Sequence, residues 1–351
     1  MPFSIFPKKF LGIDIGSSAI RIVELSSFAK RIKLENFGEI PAKAVFKEPF
    51  RTFEKSVLYL SVDDIVKAIK AILKEAQIKT KSAFFSIPDF ATFFTTFELP
   101  PMTKQEVPLA VKVEARRHIP VPLSEVLFDW QILDSMPAGK KEKLKILMVA
   151  VPHEVINQYQ IIAQKAGLKL VSMEAEVFSL ARVFGEREKT ISILDFGART
   201  TTCNIIENKI LKRSFSLDVG GDLFSERIAK GLEIGLEEGE KLKKEFGIEE
   251  RGGKVREILL PLINSIFIEI GKIFQDYERK EKKKVEKIIL TGGGANLPGL
   301  EGYSKIQLKK EAEIGDPFRK IFYPPILEKT LKEIGPSFSI AVGLALRGFQ
   351  K

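Results

Sequence analysis

The chain has 351 residues, with 56 Lys and Arg against 46 Asp and Glu, one Cys, one Trp, two His and 44% hydrophobic residues. That hydrophobic share excludes global disorder, and the length suits two domains or one divided domain. A single cysteine, Cys203, excludes an internal disulfide and points to a reducing compartment; two distant histidines, His118 and His153, argue against a zinc site of the His/Cys kind.

The first residues, MPFSIFPKKF, lack the basic-then-apolar order of a signal peptide, so a cytoplasmic location is expected. Residues 10–25, FLGIDIGSSAIRIVEL, then read as a strand, an Asp-x-Gly turn with hydroxyl residues, and a second strand. IKLENFGEIP (32–41) supplies a third antiparallel strand. A helix follows at 62–76, where Ser61-Val-Asp-Asp64 offers an N-cap and early acidic groups. The middle of the chain predicts a strand in an aromatic run (Phe84, Phe85, Phe90, Phe93, Phe94, Phe97), a helix at 104–118, strands at 126–134 and 144–151, and a helix at 153–166. Most of these rings are expected in the core, with one or two left for a partner. His118 and His153 fall at helix ends.

Residues 190–206, TISILDFGARTTTCNII, echo the first hairpin, so that Asp195 corresponds to Asp14 and Gly197 to Gly16 about half a chain later. The continuation also matches: KILKRSFSLDVGG (209–221) as a third strand, then a helix at 220–232. A repeat of this period predicts two related lobes rather than a solenoid. Cys203 falls in the second hairpin as a small core residue. The greasiest stretch, 258–274, is broken by Pro261, Asn264, Ser265 and Glu269, so no membrane span is predicted. KVEKIILTGGGANLPGL (284–300) is a strand running into three glycines, followed by a helix at 300–312. It departs from G-x-G-x-x-G and comes late in the chain, which rejects a Rossmann reading.

Taken singly, each Asp-x-Gly turn is a tight hairpin and nothing more. Taken as a pair, the turns have chemistry in common. Glycine lets the backbone approach a ligand, and the hydroxyls of Ser17, Ser18, Thr200 and Thr201 can donate to phosphate oxygens. An aspartate beside a phosphate is repelled unless a divalent cation intervenes, so Asp14 and Asp195 point to Mg2+. Gly292, Gly293 and Gly294 leave room for a flat ring or ribose against the backbone. The net charge of +10 is diluted in Lys/Glu mixtures such as 279–287, and the 27 Phe sit in apolar runs, so nucleic acid is disfavoured.

These motifs, in this order, resemble those of the actin-like ATPases, the family of actin, chaperone ATPase domains, sugar kinases and FtsA. The resemblance implies an α/β actin-like fold of two related RNase H-like lobes. It implies ATP or ADP with Mg2+ between them, with Asp14 and Asp195 near the metal. The first phosphate motif would be Gly16, Ser17 and Ser18. The second would be Gly197, Ala198, Arg199, Thr200 and Thr201, with Gly221 close behind; Arg199 either touches phosphate or points to solvent. Gly292, Gly293, Gly294 and Ala295 would form the adenosine motif, and the helix at 236–247 would bring Glu240, Lys243 and Lys244 to the ribose and adenine. Residues 170–184 and 335–348 resemble the two connecting helices, the first placing Glu176 by the attacking water as the catalytic candidate.

The middle segment resembles the subdomain IC insertion of FtsA and, more specifically, of PilM-type pilus assembly proteins; the chain stops soon after the last connecting helix, which favours the latter. That resemblance implies subdomain IA at 1–86, completed by 168–188 and 336–351, and IC at 87–167. It implies IIA at 189–224, completed by 286–335, and IIB at 225–285. It implies a cytoplasmic ATP-binding component of type IV pilus assembly with at most slow ATPase activity. Its partner would be the cytoplasmic N-terminal peptide of PilN, held in a groove between IA and IC within the inner-membrane assembly complex, without direct membrane insertion. The rival readings are an FtsA-like division protein and a small-metabolite kinase of the same superfamily.

Overall fold

Two five-stranded sheets repeat one plan in the computed structural model, which describes residues 7–29, 31–45, 49–54, 57–133 and 143–350. In the first, β1 (Lys8–Ile15), β2 (Ala19–Phe28) and β3 (Arg31–Pro41) form an antiparallel meander. A short α1 (Ala42–Val45), a ribbon of β4 (Arg51–Glu54) and β5 (Val57–Leu60), and α2 (Val62–Glu75) lead to β6 (Ser82–Ile87), which lies parallel to β1. A short turn at Asp89–Ala91 then opens an insertion: β7 (Phe93–Leu99), α3 (Val107–His118), β8 (Val126–Ile132) and β9 (Leu144–Pro152), paired in the order β7-β9-β8. Helix α4 (His153–Lys165) returns to β10 (Lys169–Ala175), which completes the first sheet as β10-β6-β1-β2-β3.

Helix α5 (Glu176–Phe184) crosses to the second lobe, where β11 (Thr190–Phe196), β12 (Thr201–Glu207) and β13 (Ile210–Leu217) form the second meander. Helices α6 (Gly221–Leu232), α7 (Leu236–Phe246) and α8 (Lys254–Glu281) precede β14 (Lys287–Thr291), α9 (Leu300–Leu308) and β15 (Glu311–Ile314). The order β13-β12-β11-β14-β15 is again a meander with two parallel strands added to its first member. Helix α10 (Glu328–Arg347) runs back onto the first lobe. The two lobes of one plan are those that the repeated hairpin predicts, and the α/β architecture agrees with the one implied by the resemblance to actin-like ATPases.

Each lobe buries its own core. Ile13, Ile20 and Ile22 pack with Ile65, Ile69 and Tyr159 in the first, and Leu194, Cys203 and Ile205 pack with Ile263, Phe267 and Ile270 in the second. A third cluster joins the insertion to both: Leu133 and Leu147 meet Val177 and Leu180 of α5 and Ile191 and Ile206 of the second sheet. α10 approaches β1 so closely that a Cβ on Gly12 would stand 1.9 Å from the Ala341 carbonyl oxygen. Among the described residues no helix is long and apolar enough to cross a membrane.

Several expectations need correction. Residues 170–184 are not one helix: the first six belong to β10, because the open edge of β6 offers unpaired backbone groups that outweigh the helical preference of Leu, Met, Glu and Ala. Residues 300–312 likewise split, since Lys309 in the left-handed region (φ 51°) ends α9 and the chain then pairs along β14. Ser61 does sit before α2, but its hydroxyl donates to the Asp64 carboxylate at 3.0 Å instead of accepting from a helical amide. Helix α3 begins three residues late, and β8 ends at Ile132; residue 134 of the predicted strand lies outside the described residues.

The aromatic run is mainly core: Phe84, Phe85 and Phe97 are buried, and Phe94 meets Phe178 edge-on. His118 stacks on Phe97 with ring centroids 5.0 Å apart, and His153 opens α4. Cys203 is fully buried, which pushes its thiol up to about 12.

Candidate functional site

The two Asp-x-Gly hairpins end their lobes at a common cleft. Asp14 is buried at the end of β1, where Ser86 Oγ donates to its Oδ1 at 2.9 Å. The turn after it closes through the Gly16 amide to the Ala19 carbonyl, 2.9 Å. The carbonyls of Ser17 and Ser18 accept from the amides of Phe50 and Ala42, so the turn is braced from the residue before β4 and from the start of α1. In the second lobe the same closure runs from the Gly197 amide to the Thr200 carbonyl, also 2.9 Å.

Sequence reasoning missed the residue that ties this site together. Arg51, on β4, is buried; its guanidinium donates to Glu176 Oε1 at 2.8 Å, reaches Ser17 Oγ at 3.4 Å, and lies over the Phe90 ring. Glu176, the first residue of α5, accepts a second hydrogen bond from the Asp89 amide. Asp89 answers by accepting the Val177 amide at 3.1 Å, so the turn that opens the insertion and the start of α5 are interlocked. A lone Arg opening a short strand and a lone Asp after Ile-Pro were the available signals.

Four carboxylates therefore share one region with a single buried guanidinium. Burial, then the neighbouring charges of Glu176 and Asp14, push the Asp195 carboxyl up to about 7. Burial also raises Glu176, against the opposing pull of Arg51, and raises Asp89 strongly, with Glu176 and Asp195 adding to it. The charge of Asp14 thus reaches Asp195, half a chain away in sequence. Among the described residues, three buried oxygens of this region have no hydrogen-bond partner: Asp89 Oδ2, Asn204 Oδ1 on β12 and the Tyr159 hydroxyl. Such orphans and surplus negative charge fit a cation or a polar ligand.

The other predicted residues gather on the second-lobe side of the cleft. The Gly221 amide donates to the Gly197 carbonyl, and the Gly221 carbonyl accepts Lys243 Nζ at 2.9 Å. Lys243 pairs with Glu240 at 2.6 Å and Lys244 reaches the same carboxylate at 3.2 Å. Burial lowers Lys243, while the lysines hold Glu240 low against the effect of its own burial. Gly292 has φ +83°, and a Cβ there would stand 2.1 Å from Asp195 Oδ1, so only glycine passes the carboxylate. Gly293 is exposed, the Gly294 amide donates to the Phe196 carbonyl, and Ala295 is buried.

Two candidates are placed otherwise. The Thr201 hydroxyl is spent on the Val219 carbonyl, 2.7 Å away, and so braces the loop before α6. Arg199 is exposed in the second turn, and its charge reaches Asp222 of α6. Burial raises the Asp222 carboxyl of α6, and the charge of Lys43 on α1, in the opposite lobe, opposes that rise, a coupling the sequence did not suggest.

Among the described residues no three His, Cys, Asp or Glu side chains are arranged to ligate a metal directly. Mg2+ is commonly held by only one or two carboxylates with water and phosphate oxygens, so Asp14 and Asp195 fit it on the chemistry of their donors.

The pattern of the family described as type IV pilus assembly protein PilM matches residues 12–349. The chain belongs to the PilM family. It is thereby a type IV pilus assembly component, and actin-like relatives surround it. The cell division protein FtsA of Streptococcus pneumoniae is 24% identical over 337 residues, covering 83% of this chain and 72% of that protein. FtsA of Agrobacterium fabrum is 22% identical over 227 residues, and the match spans half of its length. Among solved structures, a PilM-PilN type IV pilus biogenesis complex superposes with a TM-score of 0.82 at 24% identity, covering 97% of this chain and 98% of that one. The ethanolamine utilization protein EutJ of Carboxydothermus hydrogenoformans superposes at 0.60 with 16% identity, over 97% and 90% of the two chains.

Proposed function

We propose that this chain binds ATP or ADP with Mg2+ between its lobes and uses the bound nucleotide to set the geometry of a peptide groove in type IV pilus assembly. The observation that carries this reading is the convergence of Asp14, Asp195, Glu176 and Arg51 where the two hairpins meet. Asp14 and Asp195 would hold the metal. The turns Gly16–Ser18 and Gly197–Thr200, with Gly221, would line the phosphates; Gly292, Gly293, Gly294 and Ala295, with Glu240, Lys243 and Lys244, would line the nucleoside. Bound Mg2+ supplies positive charge between carboxylate and phosphate.

What the chain's own residues do limits turnover. Glu176 is the candidate for positioning or deprotonating a water, yet both its oxygens are engaged, one by Arg51 and one by the Asp89 amide. Each oxygen keeps a second lone pair for a water, but the Arg51 ion pair fixes the carboxylate's orientation and draws on its basicity, which favours slow hydrolysis. A ligand that bridges two lobes favours closure by about 2.7 kcal/mol at a hundredfold excess over its dissociation constant. That suffices to bias a hinge.

We assign subdomain IA to 1–86 with 168–188 and 336–351, IC to 87–167, IIA to 189–224 with 286–335, and IIB to 225–285. The PilN cytoplasmic N-terminal tail would lie in the groove between IA and IC, which keeps the chain on the cytoplasmic side of the inner membrane through its partner. The interlock of Asp89 with α5 stands at the entry to IC, beside the phosphate turn. Asp195→Ala should lose Mg·ATP binding by isothermal titration while keeping its circular dichroism; undiminished affinity overturns the metal placement. A synthetic PilN tail should bind the wild-type chain, and absence of binding at hundreds of micromolar, an affinity weaker than about −5 kcal/mol, would refute the partner.

A further inference from the structure

The end of the first sheet away from the cleft carries charge and exposed aromatics that neither reading above uses. β1, β6 and β10 are parallel, so their first residues lie at one end, together with the hairpin between β2 and β3. That end presents Lys8, Arg31, Lys33, Lys79, Lys81 and Lys169, all exposed. Its acids are largely compensated: Glu24 is buried against Asn36 and Thr80, and Glu35 accepts from Ser26 and Lys33.

Two large rings stand among these cations. Phe28 is 68% exposed and Phe322 66% exposed. They share a face: Phe28 pairs with Arg31, Ser26 pairs with Lys33, and Lys33 bridges to Phe322, and directly opposed residues point the same way. Farther along that face Ile20 and Ile22 are covered by α2, and the Thr80–Glu24 hydrogen bond marks where the cover stops. Exposed rings ringed by lysine and arginine match an anionic lipid surface, where rings enter the interface and cations meet headgroups.

We propose that this end of the first sheet docks directly on an anionic bilayer, with Phe28 and Phe322 in the interface and the lysine rim over the headgroups. The contact is peripheral and crosses nothing. β1 spans about 23 Å from this end to the Asp14 turn at 3.3 Å per residue, so a docked molecule keeps its cleft free. A partner's membrane anchor and this surface would then act together, each raising the effective concentration of the other.

Co-sedimentation with vesicles tests it and needs neither nucleotide nor partner. The full chain should bind vesicles of phosphatidylcholine with phosphatidylglycerol, lose that binding at high salt, and ignore phosphatidylcholine alone. Replacing Lys79, Lys81 and Lys169 together by Ala should lower the partition coefficient by roughly a hundredfold, about fivefold per charge. Phe28→Ser with Phe322→Ser should lower it by about tenfold with the same net charge. Replacing Lys254, Lys272 and Lys305 in the second lobe by Ala removes the same charge and should leave binding unchanged. Equal loss in that variant, or no binding to anionic vesicles, overturns the proposal. So does a change in oligomeric state of the double Ser variant without lipid, which would assign the surface to a second copy of the chain.

Discussion

Arg51 and Glu176 stand 125 residues apart in the chain and 2.8 Å apart in the fold, both nearly excluded from solvent. The pair joins the ribbon behind the first hairpin to the helix that leads into the second lobe. Its position makes it the mechanical centre of the candidate site.

Removing one member of such a pair leaves the other charged and buried. Arg51→Met should therefore destabilise the protein by about 3–5 kcal/mol in urea unfolding. Glu176→Met should cost a similar amount. The double variant should lose much less than the sum, because neither charge is then stranded.

Asp195 sets a pH dependence whose sign is fixed. Its carboxyl is raised from the ordinary range to about 7, chiefly by burial and then by Glu176 and Asp14. The folded state thus holds a proton that the unfolded state releases near pH 4, and stability falls as pH rises from about 4 to about 7. Asp195→Asn should flatten that slope and raise stability by a few kcal/mol at about pH 8, read by denaturant unfolding across the range. Binding of Mg·ATP to the wild type should strengthen over the same interval and release a proton below about pH 7, measurable from titration heats in buffers of different ionisation enthalpy.

Gly292→Ala combines a left-handed backbone with a Cβ placed 2.1 Å from Asp195 Oδ1. Strain of this kind costs on the order of 1–3 kcal/mol. Thermal unfolding should show that loss, and displacement of the Asp195 carboxylate should weaken nucleotide binding by about tenfold or more, equivalent to 1.4 kcal/mol.

The insertion is also clasped to the second lobe. Glu281, the last residue of α8, accepts Lys145 of β9 at 2.9 Å and Arg213 of β13 at 3.2 Å. Lys145→Ala should cost less than about 1 kcal/mol, as partly exposed pairs do. Glu281→Ala should cost more, since it leaves two cations unmatched. In both variants backbone hydrogen exchange should quicken in β9 and at the end of α8, where the clasp holds.

Much of the architecture was legible locally. The paired hairpins around Asp14 and Asp195 are short-range patterns of alternation, glycine and hydroxyl, and they foretold two sheets of the same plan. Residues 170–175 and 311–312 misled for the opposite reason. Their side chains suit a helix, and only the open edges of β6 and β14 made them strands.

What the amino-acid order determined by itself was the set of groups each lobe brings to its own hairpin, because those groups are neighbours in sequence and fold together. What only the tertiary structure decided was their company: Arg51 against Glu176, the Asp89 latch, the charge of Lys43 felt at Asp222, and the surplus of acid around Asp195. Electrostatics depends on separation in space and on the exclusion of water, and neither can be read along a chain.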